Sequence, residues 1–403
     1  MKVLLSAYAC EPNRGSESAV GWSWALELAK SGVTVQVITR ANNKGLIEAA
    51  LTSFKYADNL TFIYYDLPRR YSWWKKGGRG VYLYYLLWQW KAASLAKDIH
   101  LKESFDLVHH VTFVTVRQPS FMGRLGIPFI LGPIAGGECA PWRLRLSYSF
   151  KGFVKDLLRD IANILVRFDP MMHYSFSKAH AIYVTSRETK NVIPKRYHSK
   201  VQVELAIGFD KSCLKRIPLS HNAGSSAFKI LYVGQFRYLK GMDLGIRAFA
   251  KVLKTNPEAQ LTLVGHGEEE RRWRDLAIKL KVSNNVTWIP WLSQQQLSEV
   301  YQQHNIFLFP SLHDSGGLVV LEALSWGLPV VCLDIGGPGV IVDKNCGYKV
   351  SVFGRRTEEV VLDLSEGLIS IADNVNNLSD RVIHRTTAFS FTKKAQKLYQ
   401  QCK

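Results

Sequence analysis

Short β-branched apolar runs alternate with stretches whose apolar residues recur at helical spacing, and this alternation runs through the chain twice. A helical stretch between two buried strands forces a crossover connection, so the strands must pair in parallel. In the first half the strand candidates are residues 3–7, 33–39, 61–65, 107–111, 128–131 and 181–185. Between the first two, Val20, Trp24, Ala25 and Leu28 mark one face of a helix. Pro218, Asn222 and Gly224 then interrupt the pattern, which predicts a linker over 211–227. The alternation restarts with strand candidates at 229–233, 260–264, 285–289, 306–310 and 329–333. Helical patterns fill 241–254, 267–281, 293–303 and 317–326, and the tail from Thr357 reads as helix in two or three pieces. The expectation is an α/β chain of two doubly wound Rossmann-like domains, 1–210 and 228–385, facing across a cleft. A last helix, 386–403, is expected to cross back to the first domain. Sheets of this kind bind ligands beyond the carboxyl ends of their strands, so the cleft is the default site.

The 403 residues suit two cores. The longest uncharged apolar run, from Val81 to Trp90, is about half of what a bilayer-spanning helix needs. The N-terminus lacks the long apolar stretch of a signal peptide. Six cysteines stand singly, without metal-ligand spacing, and read as reduced thiols of a cytoplasmic protein. The net charge of +19 favours anionic partners. Through Asp210 there are 28 basic and 16 acidic residues, and beyond it 24 and 17.

Three strand ends carry residues suited to chemistry. Residues 234–241 place Gln235, Arg237 and Lys240 before a helix start, where free amides and cations suit a phosphate; the alternative is a solvated basic turn. Gly265 and Gly267 close the next strand, either to let a ligand approach the backbone or as a plain strand–helix turn. Residues 310–323 run through Asp314, Ser315, Gly316, Gly317, Leu318 and Glu322. There the amides at 316–318 can hold a diphosphate while Asp314 and Glu322 accept sugar hydroxyls; the alternative is a glycine-rich cap with Asp314 as its acid. Neither a GxGxxG nor a GxxxxGK[ST] pattern occurs at these positions, which argues against a dinucleotide site and a P-loop.

Together these three motifs resemble glycosyltransferase family 4, a GT-B family. Its Gly-Arg-Leu-x-x-x-Lys-Gly stretch, Gly-x-Gly turn and Glu-x7-Glu motif correspond in order to 234–241, 265–267 and 314–322, and Gly327 to Val331 matches its Gly-x-Pro-Val-Val. The resemblance covers the C-terminal half. Gln235 stands where the family has arginine, with Arg237 two residues on, and Asp314 stands where it has glutamate. The resemblance implies a retaining transfer from a nucleotide diphosphate sugar, with Glu322 on the ribose, Arg237 and Lys240 on the diphosphate, and Asp314 on the donor sugar. In the first half, Gly15 lies in the loop corresponding to the family's glycine-rich loop after strand one. Asp106 to His110 resembles its Asp-x-Val-His, so His109 or His110 is expected beside the reacting centre; strand alternation sends them to opposite faces. Gly136, Gly137 and Glu138 follow another strand end and are either an acceptor loop or a structural turn. No Asp-x-Asp occurs, so neither a metal nor another cofactor is expected. Rival functions are a nucleotide-sugar epimerase on the same fold and a binding protein with weakened catalysis.

Residues 68–97 hold seven cations, no acid and eight Tyr or Trp, among them Trp73, Trp74, Trp88 and Trp90. Residues 142–167 add six cations beside Tyr148, Phe150 and Phe153. Such stretches suit an anionic membrane surface, which predicts peripheral attachment at the inner face of the cell membrane and a glycan or lipid-linked acceptor. The alternative is that Leu86, Trp88 and Trp90 are the buried face of a core helix. No nucleic-acid module pattern occurs, so no nucleic-acid partner is expected.

Overall fold

A computed structural model describes residues 1–12, 17–75, 77–208 and 228–400. The chain forms two compact units. Unit 1 comprises 1–137, 161–208 and the tail from Phe391, and unit 2 comprises 138–160 and 209–390. The expected linker, 211–227, lies outside the described residues, as does Gly15.

Unit 1 is built on a seven-stranded parallel sheet of β1 (Lys2–Ser6), β2 (Thr34–Thr39), β3 (Leu60–Tyr64), β4 (Leu107–His110), β5 (Phe129–Ile134), β6 (Ala181–Val184) and β7 (Val201–Val203). The spatial order is β3-β2-β1-β4-β5-β6-β7, so the order reverses between β1 and β4. Helices α1 (Glu17–Lys30), α2 (Lys44–Leu51) and α3 (Val81–Glu103) belong to the strand–helix alternation. Val20, Trp24, Ala25 and Leu28 of α1 are buried, and α3 buries Tyr84, Tyr85, Trp88, Ala92 and Ala96. Trp90 does not join that face: it is 44% exposed and lies under the Arg124 guanidinium at 3.5 Å. Helices α4 (Phe150–Leu165), α5 (Pro170–Lys178) and α6 (Arg187–Val192) follow in the chain, and Asp169 caps α5 by accepting from the amides of Met171 and Met172.

Unit 2 has six parallel strands, β8 (Lys229–Val233), β9 (Gln260–Val264), β10 (Val286–Ile289), β11 (Ile306–Phe309), β12 (Val330–Leu333) and β13 (Gly347–Val350). Their order is β10-β9-β8-β11-β12-β13, with the reversal between β8 and β11. The crossovers are α7 (Met242–Thr255), α8 (Glu270–Lys279), α9 (Gln294–Gln302), α10 (Leu318–Ser325) and α11 (Gly336–Ile341), followed by the long α12 (Thr357–Thr386). The central strands β8, β11 and β12 are almost wholly buried, as expected where both faces of a sheet are covered. Two doubly wound α/β units are therefore present. The edge strands β7 and β13 have no counterpart in the sequence expectations, because Val201–Val203 is short and Gly347–Val350 opens with glycine.

The final helix, α13 (Phe391–Gln400), packs on α1. Phe391 meets Trp24 edge to face at 5.9 Å, and Thr392 donates to Glu27 at 2.8 Å. Buried Lys394 donates to the carbonyls of Leu205 and Ile207 and pairs with Glu204, and its pKa falls to about 8 because burial disfavours the charge.

Candidate functional site

The topological switch point of the second sheet lies between β8 and β11, and the loops that leave these two strands meet there. After β8 the chain turns through Gly234 and Gln235 and makes one 3-10 turn over Tyr238–Lys240. Gly241 then opens α7 with φ +61°. After β11 it turns through Pro310 to Gly317, and α10 begins at Leu318. The Lys240 ammonium donates to Asp314 Oδ2 at 2.6 Å. Asp314 Oδ1 accepts from the amides of Gly316 and Gly317 at 3.2 and 2.6 Å. Its carbonyl accepts from the Gly337 amide at 2.8 Å.

Asp314 is thus both the capping acid of the turn and the partner of Lys240. The amides of Gly316 and Gly317, expected to face a diphosphate, are satisfied within the protein; a carboxylate at a helix start also meets the dipole. A carboxylate has about four acceptor positions, and three are occupied. Ser315 and Gly316 are half-buried, and Leu318 is 37% exposed. Gln235 and Arg237 are exposed, while Phe236, between them, is buried.

Gly265 and Gly267 also lie at this sheet edge, for a different reason from the one expected. A Cβ on Gly265 would stand 1.9 Å from the Gly234 carbonyl oxygen, and one on Gly267 would stand 2.4 Å from that of Phe236. The close approach that requires these glycines is made by the neighbouring loop, held there by the Phe236 amide donating to the His266 carbonyl at 2.9 Å.

Glu322 lies on α10 beside Tyr301 of α9. Burial raises the Glu322 carboxyl to a pKa of about 7, and the Tyr301 hydroxyl offsets part of that rise. Near neutrality this carboxyl is poised between its two forms. Glu138, 4% exposed, lies against Gly336, where a Cβ would stand 2.3 Å from the Asp314 carbonyl oxygen. In unit 1, Gly136 accepts from Arg117 at 2.7 Å, and the Gly137 amide donates to Thr189 at 3.2 Å.

Both histidines of β4 are interior groups of unit 1. His109 donates from Nε2 to the Gly132 carbonyl at 2.7 Å, and its Nδ1 lies 2.7 Å from the Tyr399 hydroxyl on α13. His110, on the other face, has Nε2 2.9 Å from the Tyr85 hydroxyl and 3.1 Å from the Gln89 amide. Burial lowers them to pKa values of about 4 and about 3, so both are neutral. Strand alternation does send them to opposite faces, and both faces are packed.

One network had no signal in the sequence. His313, next to Asp314, donates from Nε2 to Asp156 Oδ2 at 3.0 Å and accepts at Nδ1 from Arg159 at 3.0 Å. Asp156 is fully buried and also meets Arg145 at 3.5 Å. His313 stands more than 150 residues from Asp156 and Arg159, beyond any local spacing rule.

Residues 216–361 match the family described as Glycosyl transferases group 1. The match covers about a third of the chain and falls within unit 2. An uncharacterized glycosyltransferase of Methanocaldococcus jannaschii is 33% identical over 108 residues, 27% of each chain. The D-inositol 3-phosphate glycosyltransferase of Rhodococcus erythropolis is 29% identical over 178 residues, 42% of this chain and 40% of the relative. The matches thus span between about a quarter and two fifths of these curated relatives. Among solved structures, a lipopolysaccharide outer core galactosyltransferase in its apo form aligns over all of both chains, with TM-score 0.65 and 13% identity. An Anabaena protein in complex with UDP-glucose aligns over 100% of this chain and 99% of its own, with TM-score 0.56 and 14% identity. Both are similar to this chain in fold.

Proposed function

We propose that the chain is a retaining, metal-independent glycosyltransferase. It moves a sugar from a nucleotide diphosphate sugar to a hydroxyl of a glycan or lipid-linked acceptor in cell-envelope polysaccharide synthesis. The observation that carries this reading is the Lys240–Asp314 pair at the switch point of the second sheet, inside the residues that match the group 1 family. In this reading the donor diphosphate takes Lys240 as its cation, with exposed Arg237 behind it. These charges offset the negative charge that develops as the nucleotide leaves. The one acceptor position left on Asp314 takes a donor-sugar hydroxyl. Glu322, with a pKa near 7, takes the ribose hydroxyls in its ionised form.

Gly136, Gly137 and Glu138 are the candidate acceptor loop. A catalytic role for His109 or His110 is not part of the reading, since each buried ring already serves a neighbour.

The test is donor binding by titration calorimetry with UDP-sugars, on the wild type and on Lys240→Ala with Glu322→Ala. A donor at about a hundred times its Kd adds about 2.7 kcal/mol of stability, which a thermal-shift panel detects first. Nucleotide affinity that survives the double substitution unchanged overturns the reading.

A further inference from the structure

Helix α4 is turned inside out. A surface helix normally buries its apolar stripe and exposes its polar one. Here Phe150, Leu157, Leu158, Ile161, Ile164 and Leu165, spaced at three and four residues, form one stripe, and all lie on the outside. Phe150 is 85% exposed and Leu158 61%. The inward residues are polar: Asp156 and Asn163 are buried and hydrogen-bonded to Arg159 and Arg117. The exposed ridge runs about 24 Å along sixteen residues. Phe168 continues it beyond the helix, 74% exposed.

The charge around the ridge has one sign. Arg143, Lys151, Lys155 and Arg167 are exposed. The three acids between 141 and 171 are all engaged: Asp156 is buried, Asp160 pairs with Arg145, and Asp169 caps α5. An apolar ridge flanked by unopposed cations fits a layer that is apolar within and anionic at its surface. A second copy of this chain would bring the same cations face to face, on a molecule of net charge +19. No helix among the described residues is long and apolar enough to cross a membrane, so α4 would lie in the interface plane.

We propose that α4 is an interfacial docking helix that seats this protein on an anionic lipid surface. The sequence put comparable weight on residues 68–97, but that stretch is divided: Trp88 is buried and Trp90 stacks with Arg124, while Trp73, Tyr82 and Leu83 are exposed. The proposal stands apart from the donor reading, because docking is measured with no nucleotide present.

The experiment is flotation of the full chain with vesicles of phosphatidylcholine alone or with about one-third phosphatidylglycerol. It is run at about 0.1 M and about 0.5 M salt. The variants are Leu158→Ser with Ile161→Ser, Lys151→Gln with Lys155→Gln, and Tyr82→Ser with Leu83→Ser on α3 as the comparison. All six positions are exposed, and thermal melts confirm that the fold is intact. The expected result is recovery with anionic vesicles, weakened by salt, and lowered about tenfold or more by either α4 pair but not by the α3 pair. Three results overturn the proposal: equal recovery with both lipids, unchanged recovery of the Leu158/Ile161 variant, or loss through the α3 pair alone. A dimer in sedimentation that this α4 variant dissociates, with no vesicle binding, assigns the ridge to self-association and also overturns it.

Discussion

Lys240 is held by Asp314 in an ion pair only partly open to water, with side-chain exposures of 19% and 17%. A charge-assisted bond to a phosphate in such a place contributes about 1.5–3 kcal/mol, so Lys240→Ala should weaken UDP-sugar binding by roughly ten- to a hundredfold in calorimetry. Exposed Arg237 should cost only a few-fold by the same measurement, in line with roughly 0–1 kcal/mol for a surface charge. Glu322 has the opposite sign of pH dependence from an ordinary paired acid. Its folded pKa, about 7, stands above its ordinary 4.5. Its contribution to stability is therefore full below 4.5 and is lost as the pH rises toward 7, by roughly 3 kcal/mol in all. Thermal melts across that range should show this loss, and Glu322→Gln should remove it. His109 and His110 work the other way: their stability is present above 6.5 and lost as the pH falls toward about 4 and 3.

Among elements, helix α13 owes part of its anchorage to the buried ammonium of Lys394. Lys394→Met leaves the carbonyls of Leu205 and Ile207 without their donor, at a cost of about 1–3 kcal/mol. The expected outcome is faster amide exchange along α13 and a lower urea midpoint, with unit 2 amides unaffected. His313→Ala should similarly cost about 1–3 kcal/mol in urea unfolding, because Asp156 is buried and keeps only Arg145 and Arg159. Most elements were legible from their period. β8 and β9 coincide with the expected 229–233 and 260–264, since a buried parallel strand is a continuous β-branched run bounded by glycine or polar turns. The edges β7 and β13 were not, because an edge strand needs little apolar sequence of its own. In the site, the glycine and acid positions could be read from spacing. The link from His313 to Asp156 could not, nor could the fate of the Gly316 and Gly317 amides, since both depend on which side chain reaches a given atom in space.

For the molecule as a whole, the excess of 52 basic over 33 acidic residues sets how anions arrive. Donor association should slow as ionic strength rises past about 0.15 M, where the screening length falls to about 8 Å, with dissociation much less affected. Stopped-flow fluorescence of a labelled UDP-sugar measures both rates.

The packing of α13 on α1 also orders events during synthesis. The face of α1 that carries Trp24 and Glu27 meets its cover only when Phe391 and Thr392 have left the ribosome. That flank of the first sheet therefore stays bare until synthesis has passed through β8 to α12 and reached α13.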